Sequence, residues 1–357
     1  MTPPPPPKDA TKAAKPGGPP KKGAPPPGAY DRFGLLGNPF RDLASESLSD
    51  VEIFHVNLSV DESLSPIKEE VFAKENKTVV AIIGHQGAGK TERLLLAASE
   101  GTARGACVVY YDISEKISWV LPGLAQKIMD GAELGGFAKV FSAPAWYRAL
   151  GPLAKPAAAT KGYDPIQAGK ALAAALNARA PAFLLLNDLH NLATVPEAEA
   201  FAKTLQELFD SIRPGVLVMF GSFPGYYAAL AKKYPPLVSR INRTIFLPTL
   251  TTEEAGLLLA KKLLAKRLVE SLEPLYPFDR PAIEALNASA LGNPRKLLEL
   301  ADRALEYAAS HRSYRITADL VRIALAPRDA PTSTTTNGPG AAPPSPALPT
   351  PGPAPAS

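Results

Sequence analysis

The eight residues GHQGAGKT fit the pattern G-x-x-x-x-G-K-[ST]. Glycines in such a loop let backbone N–H groups curl around phosphate oxygens, while the lysine reaches the terminal phosphates and the hydroxyl binds Mg²⁺. His85 occupies a variable position and needs no chemical role of its own. The pattern predicts an ATP–Mg²⁺ site whose cofactor-binding residues are Gly84, His85, Gln86, Gly87, Ala88, Gly89, Lys90 and Thr91.

A second polar feature ends the apolar run FLLLNDLHNL, at Asn187 and Asp188. A P-loop enzyme needs a carboxylate at the end of a neighbouring strand to hold the Mg²⁺ shell, and a group that positions the attacking water. Two registers are open. Asn187 takes the metal position and Asp188 the water position, or Asp188 takes the metal position and Leu189 falls where a base is expected. Either register weakens one role, because a neutral amide supports Mg²⁺ less than a carboxylate and Leu accepts no proton.

Alternating sequence patterns predict the strands and helices that position these residues. Apolar, β-branched runs alternate with helix-like segments, which predicts a parallel α/β sheet with right-handed crossovers. The phosphate-loop pattern follows the first run directly and precedes a helix, as its mechanism requires. The predicted strands are KTVVAIIG, ACVVYYDI, FLLLND, GVLVMFGS and RTIFLPTL.

After Thr251 the pattern turns wholly helical, through TTEEAGLLLAKKLLAKRL, DRPAIEALNASA, NPRKLLELADRALEYAASH and ITADLVRIALA. We therefore expect a nucleotide-binding domain over residues 30–250 with a five-stranded parallel core, and a small all-helical subdomain over residues 251–326. Residues 131–165 contain frequent Gly and Pro residues, which predicts an insertion with short helices or a mobile loop.

The ends of the chain have a different composition. Many of the 39 prolines crowd into residues 1–29 and 327–357, where too few apolar side chains exist to offset ordering entropy, so both ends are predicted to be disordered. The net charge of +5 comes largely from lysines in the first of these tails. That tail is interpreted as a solvated spacer, with contact to nucleic acid or acidic surfaces as the alternative.

The single cysteine, Cys107, cannot form an internal disulfide. The chain shows no apolar leader and no apolar run of membrane-spanning length. These features predict a cytoplasmic protein with no membrane partner.

Several segments, in order, resemble AAA+ P-loop ATPases of the branch that holds origin-recognition/Cdc6 proteins and the transposition- and secretion-helper ATPases. They are FGLLGNPF, GHQGAGKT, NDLHNL and GNPRKLLELADRAL, and the resemblance spans about residues 30–326. The helper ATPases typically have Asp-Glu-Ala-His-Asn-Leu where this chain has NDLHNL. The resemblance therefore implies the first register, with Asn187 in place of Asp and Asp188 in place of Glu. It implies metal ligands Thr91, Asn187 and Asp188, and slow hydrolysis.

The resemblance implies further site residues. Arg295 would face the nucleotide from the sensor-2 helix of a helical lid. Ser222, at the end of the fourth strand, would hydrogen-bond the γ-phosphate or the water, or else be an ordinary turn serine. Arg240 or Arg243 would be an arginine finger for a neighbouring copy, or else a surface charge. Asp112, which closes the second strand, would be a strand-end cap or else lie near the site. The implied catalytic set is Asp188, Lys90, Arg295, Ser222 and Arg243.

Three functions follow as hypotheses. The first is an ATP-driven switch with slow hydrolysis, acting on an unidentified protein client and assembling as a homo-oligomer through the arginine finger. The second is a nucleotide-binding scaffold without hydrolysis. The third is a DNA-associated helper in replication, transposition or defence. Origin-recognition relatives carry a winged-helix domain after the lid, where this chain has a Pro/Thr/Ala-rich segment, which argues against DNA contact by this chain alone. The basic N-terminal tail leaves DNA as a possible partner.

Overall fold

The computed structural model describes residues 28–41, 56, 58–113, 119–131, 143–155, 162–268 and 273–326. Its core is a five-stranded parallel sheet in the order β2-β3-β4-β1-β5. The strands are β1 Thr78–Ile83, β2 Cys107–Asp112, β3 Ala182–Asn187, β4 Val216–Ser222 and β5 Arg243–Phe246. All five predicted strands and their parallel arrangement are confirmed.

Helices connect the strands and follow the last one. Helix α1, Ser59–Phe72, precedes β1. The helices between strands are α2 Lys90–Ala103, α3 Val120–Asp130, α4 Ala145–Leu150, α5 Pro165–Asn177, α6 Ala198–Ser211, α7 Pro224–Lys233 and α8 Pro235–Val238. After β5 come α9 Thr252–Leu264, α10 Arg280–Ala290, α11 Pro294–Ser310 and α12 Ala318–Leu325. The helical pattern predicted after Thr251 is confirmed.

The sheet is covered on both faces, which explains why its strands read as unbroken apolar runs. Every residue of β1, β3 and β4 is buried. Val79 and Ile83 point into a core shared with α3, α5 and α6. Val80 and Ile82 point into the opposite core, shared with α1 and α2.

The strand order corrects one expectation about the site. The strand that ends at Asn187 was expected to neighbour the phosphate-loop strand, but β4 lies between β1 and β3. Apolar periodicity reports that a strand is buried and carries no information on which strand it pairs with. Because the carboxyl ends of parallel strands meet at one edge of the sheet, Ile83, Asn187 and Ser222 still end close together.

Helices α9–α12 form a third buried cluster, and the segment 28–41 belongs to it. Phe33, Leu35 and Phe40 are fully buried there. The Leu36 N–H donates to the Lys266 carbonyl at 2.8 Å, and the Asn38 side chain donates to Asp302 at 2.6 Å. Residues 30–41 therefore pack with the C-terminal helices, although they precede the sheet in sequence. The domain division at residue 250 stays a prediction.

Other expectations fall partly or wholly outside the described residues. The tails, residues 1–27 and 327–357, lie outside them, as do residues 132–142 and 156–161 of the predicted insertion. The described part of the insertion contains the short helix α4. Within the described ranges, no helix is long and apolar enough to cross a membrane.

Candidate nucleotide-binding site

The phosphate loop joins β1 to α2 and depends on two glycines with left-handed backbone. Gly87 has φ 78° and Gly89 has φ 92°. A Cβ at Gly87 would lie 2.6 Å from the Cβ of Arg295, and one at Gly89 would lie 2.5 Å from the Nη1 atom of Arg93. The left-handed backbone disfavours larger residues at both positions, and at Gly87 the Cβ of Arg295 also leaves no space for a side chain. Gly89 is also the N-cap of α2, so the free N–H groups of that helix begin at the loop.

The Lys90 side chain lies over this loop and is 6% exposed. Its Nζ donates to the carbonyls of Gly84 and His85, at 3.0 Å each, and lies 4.3 Å from the centroid of the Phe223 ring. Burial lowers the pKa of Lys90 to about 8, with the nearby Asp188 carboxylate opposing the shift and the Arg295 charge adding to it. The predicted phosphate-binding lysine is thus held beside the loop.

Asn187 is the centre of a hydrogen-bond network at the end of β3. The Thr91 hydroxyl donates to its Oδ1 at 3.0 Å. Its Nδ2 donates to Asp112 at 3.0 Å and to Asp188 at 3.3 Å. Because carboxylates accept and cannot donate, this network assigns the amide nitrogen to their side and the oxygen to Thr91. Asp112 was expected to be a strand-end cap or to lie near the site. Its carboxylate accepts a hydrogen bond from a predicted site residue, which favours the second of these interpretations.

Two oxygens of this network fit the ligand set of Mg²⁺. Adjacent ligands of an octahedral Mg²⁺ at about 2.1 Å lie about 3 Å apart, and the oxygens of Thr91 and Asn187 are 3.0 Å apart. Among the described residues, no group of three His, Cys, Asp or Glu side chains could hold a metal alone.

Asp188 follows β3 in a left-handed conformation, with φ 53°, and precedes the 3₁₀ helix Leu189–Thr194. Burial raises the pKa of its carboxyl group, while the nearby His190, Lys90 and Arg295 charges oppose the rise. The His190 ring packs on Phe223, with ring centroids 3.8 Å apart. Asp188 therefore lies beside both Asn187 and Lys90, where a water-positioning residue is predicted.

Ser222 ends β4 directly beside the phosphate loop. Its carbonyl accepts from the Gly84 N–H at 3.2 Å. Its side chain is fully buried, and the hydroxyl has no hydrogen-bond partner within the part of the chain that the structure describes. Because a buried hydroxyl without a partner is costly, this position suits a group that binds a phosphate oxygen or water. The sensor role of Ser222 stays a prediction.

Helix α11 begins against the phosphate loop. The Arg295 N–H donates to the Gly87 carbonyl at 3.3 Å, and the Arg295 side chain is exposed. The Asn293 side chain donates to the Gln86 carbonyl at 2.8 Å, while its Oδ1 accepts from the Lys296 N–H at 3.1 Å and caps the helix. Asn293 was missed by sequence reasoning. The Asn-Pro pair signalled a helix start but not the second contact.

The two candidate finger arginines differ in their contacts. Arg240 donates to Asp210 at 2.6 Å and also to the Pro236 carbonyl. Arg243 is exposed at the first position of β5, opposite Val80, whereas the strand approaches the phosphate loop at its other end. Neither makes a side-chain hydrogen bond to the loop of its own chain within the described ranges. An exposed arginine is available to a neighbouring copy, which favours Arg243 over Arg240.

Comparisons with known proteins give no match by sequence. No protein-family model matches the chain, and no curated protein matches it.

Several solved structures match the fold of this chain. The Aeropyrum pernix ORC2 protein in its ADPNP–ADP complexes matches with a TM-score of 0.52 and 15% identity, covering 82% of this chain and 72% of that one. The Aeropyrum pernix ORC1 protein in complex with DNA matches with a TM-score of 0.51 and 15% identity, covering 80% and 68%. Cdc6p from Pyrobaculum aerophilum matches with a TM-score of 0.51 and 13% identity, covering 81% and 70%. The chain therefore has the fold of AAA+ P-loop ATPases of the Orc1/Cdc6 type.

Proposed function

We propose that this protein binds ATP with Mg²⁺ at the phosphate loop and acts as a nucleotide-dependent switch with slow hydrolysis. One observation carries the proposal: the first turn of α11 is hydrogen-bonded to the phosphate loop through Asn293 and Arg295. A nucleotide that reshapes the loop changes these contacts, so the C-terminal helices sense whether the site holds ATP or ADP. A ligand shifts such an equilibrium only through contacts that differ between the two states.

The residues of the site have distinct roles in this proposal. Lys90 exchanges its two carbonyl partners for the terminal phosphates, and the Thr91 and Asn187 oxygens hold Mg²⁺. Asp188 orients the attacking water and accepts its proton. Ser222 binds the γ-phosphate or the water from the end of β4. Mg²⁺ supplies charge stabilisation to the phosphates when it is bound.

Slow hydrolysis follows from the residues beside the metal. Asn187 is neutral, so the cation receives less electrostatic support than a carboxylate would give. Asp188 is one methylene shorter than the Glu that the related helper ATPases carry at this position. Both changes weaken stabilisation of the transition state more than ground-state binding, which suits a switch better than a motor.

Arg295 and Arg243 would complete the site from two directions. Arg295 is exposed next to Gly87, and in this proposal its guanidinium contacts a phosphate of the bound nucleotide. Arg243 would supply positive charge to the site of a neighbouring copy, as arginine fingers do. This role makes a homo-oligomer the proposed active form, with an unidentified protein as its client.

A DNA-associated function is the second candidate. The basic N-terminal segment carries Lys8, Lys12, Lys15, Lys21 and Lys22, and one protein of similar fold is described in complex with DNA. A labelled duplex should then shift in a salt-dependent manner, because released counterions drive such binding. Deletion of the residues before Tyr30 should abolish the shift, and a shift that survives the deletion would contradict a role for this segment.

Two measurements test the switch. Size-exclusion chromatography in ATP and in ADP should give different assembly states for the wild-type chain and the same state for Lys90→Ala. A steady-state ATPase assay should give a slow rate that depends on Lys90. Binding without any Lys90-dependent turnover would favour the scaffold alternative over the switch.

A further inference from the structure

The register of the sheet places Asp112 and Asn187 next to each other on neighbouring strands. Strands β2 and β3 are parallel and in register, with Asp112 directly opposite Asn187. The Asn187 side chain is buried, at 4% exposure, and its Nδ2 donates to the Asp112 carboxylate at 3.0 Å. Hydrogen bonds to a charged acceptor are stronger than those between neutral groups. The Asp112 carboxylate thus holds the nitrogen side of the amide.

An asparagine amide can present either its oxygen or its nitrogen to a ligand, and only the oxygen binds a cation. At this site the Asp112 and Asp188 carboxylates both accept from Nδ2, so Oδ1 faces the Thr91 hydroxyl. Without the Asp112 carboxylate, the longer hydrogen bond to Asp188, at 3.3 Å, is the remaining contact that holds Nδ2.

We propose that Asp112 is a positioning residue that fixes the Asn187 amide with its oxygen toward the Mg²⁺ position. The inference rests on the proposed function, because it requires a cation bound beside Thr91. It also explains how a chain with Asn at this position keeps negative charge near the metal. The carboxylate lies one hydrogen bond behind the ligand rather than on the ligand itself.

The arrangement predicts that the two residues can exchange their side chains. Asn187→Asp alone places a third carboxylate about a hydrogen-bond length from Asp112 and Asp188. Like charges at this distance repel, more strongly toward the half-buried Asp188 than toward Asp112, which is exposed and screened by water. Adding Asp112→Asn restores a donor to the pair and returns the formal charge of the three residues to its original value. In the double variant, the charge of the pair would then lie on the metal ligand itself.

The test is a double-mutant cycle with four full-length proteins: wild type, Asp112→Asn, Asn187→Asp and the double variant. The first measurement is thermal unfolding in EDTA without nucleotide. We expect Asn187→Asp to lower the unfolding temperature, and we expect the double variant to recover most of that loss. Two non-interacting sites would instead give additive shifts.

The second measurement is the Mg²⁺ concentration that half-saturates binding of a fluorescent ATP analogue. Asp112→Asn should raise this concentration by about three- to tenfold, because a neutral amide accepts a weaker hydrogen bond than a carboxylate and can also turn its own donor toward Asn187. The double variant should bring it to the wild-type value or below. Asn191→Ala is the matched control, because Asn191 is buried nearby and donates to the Ile113 carbonyl at 2.6 Å. It should reduce stability without moving the Mg²⁺ dependence.

The outcomes separate the inference from the proposed function. Wild-type protein that does not bind the analogue would overturn the proposed function, and the role of Asp112 at the metal with it. Normal analogue binding together with an additive cycle in both measurements would overturn the positioning role alone. An Mg²⁺ dependence that moves equally in Asp112→Asn and Asn191→Ala would show that Asp112 acts only through stability.

Discussion

The Asn293 side chain joins the C-terminal helices to the phosphate loop, because its amide group forms a hydrogen bond to each of them. Its nitrogen donates to the Gln86 carbonyl at 2.8 Å, and its oxygen caps α11 by accepting from the Lys296 N–H. A cap alone would need only the oxygen. The second hydrogen bond is the contact through which a change at the loop would reach the helix.

Asn293→Ala should therefore have two effects. Loss of the cap should lower the free energy of unfolding by about 1 kcal/mol, and loss of the Gln86 contact should reduce the difference between the ATP-bound and ADP-bound assembly states. Asp279→Ala is the matched control, since Asp279 caps α10 through the Ala282 N–H. Chemical denaturation and size-exclusion chromatography measure the two effects. Equal loss of nucleotide discrimination in both variants would contradict the account.

Lys90→Ala should weaken binding of an ATP analogue by about 10- to 100-fold, the range expected for a hydrogen bond between charged groups. The Lys90 ammonium is a buried cation that lies over the phosphate loop and donates to two of its carbonyls. His85→Ala should bind like wild type, because His85 contributes its carbonyl to Lys90 and its side chain is exposed. Titration by fluorescence anisotropy gives both affinities. Similar affinities for the two variants would mean that the nucleotide does not use this loop.

Nucleotide affinity should fall as pH rises above about 8, the value to which burial lowers the pKa of Lys90. Phosphates bind the charged lysine, so each pH unit above the pKa of the free protein costs up to about tenfold in affinity until the pKa of the bound form is reached. Measuring affinity from about pH 7 to 9.5 tests this, with Lys90→Arg as the control that stays charged. A wild-type profile as flat as that of the control would rule out this titration.

The same shift predicts the pH dependence of stability without nucleotide. The folded-state pKa of Lys90 lies below the ordinary value of 10.5, so the unfolded chain binds more protons between these two pH values. The free energy of unfolding should then rise with pH across that window, relative to Lys90→Met. Denaturation in urea at several pH values measures it. A relative stability that fell across the window would contradict the buried, desolvated state of Lys90.

Asn187→Asp should turn over ATP faster than wild type at saturating Mg²⁺. The new carboxylate gives the cation a charged ligand, and the cation offsets repulsion from Asp112 and Asp188. We expect a rise of about tenfold, which corresponds to about 1.4 kcal/mol of transition-state stabilisation. Asn187→Ala, which removes the oxygen, should be slower than wild type. An unchanged rate in Asn187→Asp would count against the explanation for slow hydrolysis.

Local sequence patterns were sufficient to predict the strands and the helices that follow them. The run TVVAII is buried on both faces, and its composition reflects that burial. The position of GHQGAGKT between a strand and a helix likewise follows from local sequence, and α2 does begin at Lys90.

Contacts between distant parts of the chain could not be predicted in this way. The pairing of Asp112 with Asn187 depends on strand order and register, which periodicity does not encode. The burial of Phe33 and Phe40 among the C-terminal helices joins segments more than 200 residues apart, as the hydrogen bond from Asn38 to Asp302 illustrates. The hydrogen bond from Asn293 to the Gln86 carbonyl could not be predicted either. The local sequence indicates a helix cap, but it does not indicate which distant residue the capping side chain also contacts.

Hydrogen–deuterium exchange of the first turn of α11 tests the central claim most directly, because that turn carries the contacts of Asn293 and Arg295 to the phosphate loop. We predict that the amides of residues 295–297 exchange at different rates in ATP–Mg²⁺ and in ADP–Mg²⁺, and that Lys90→Ala removes the difference. Identical exchange of this turn in the two nucleotides, at concentrations that saturate the wild-type site, would contradict a nucleotide-dependent switch.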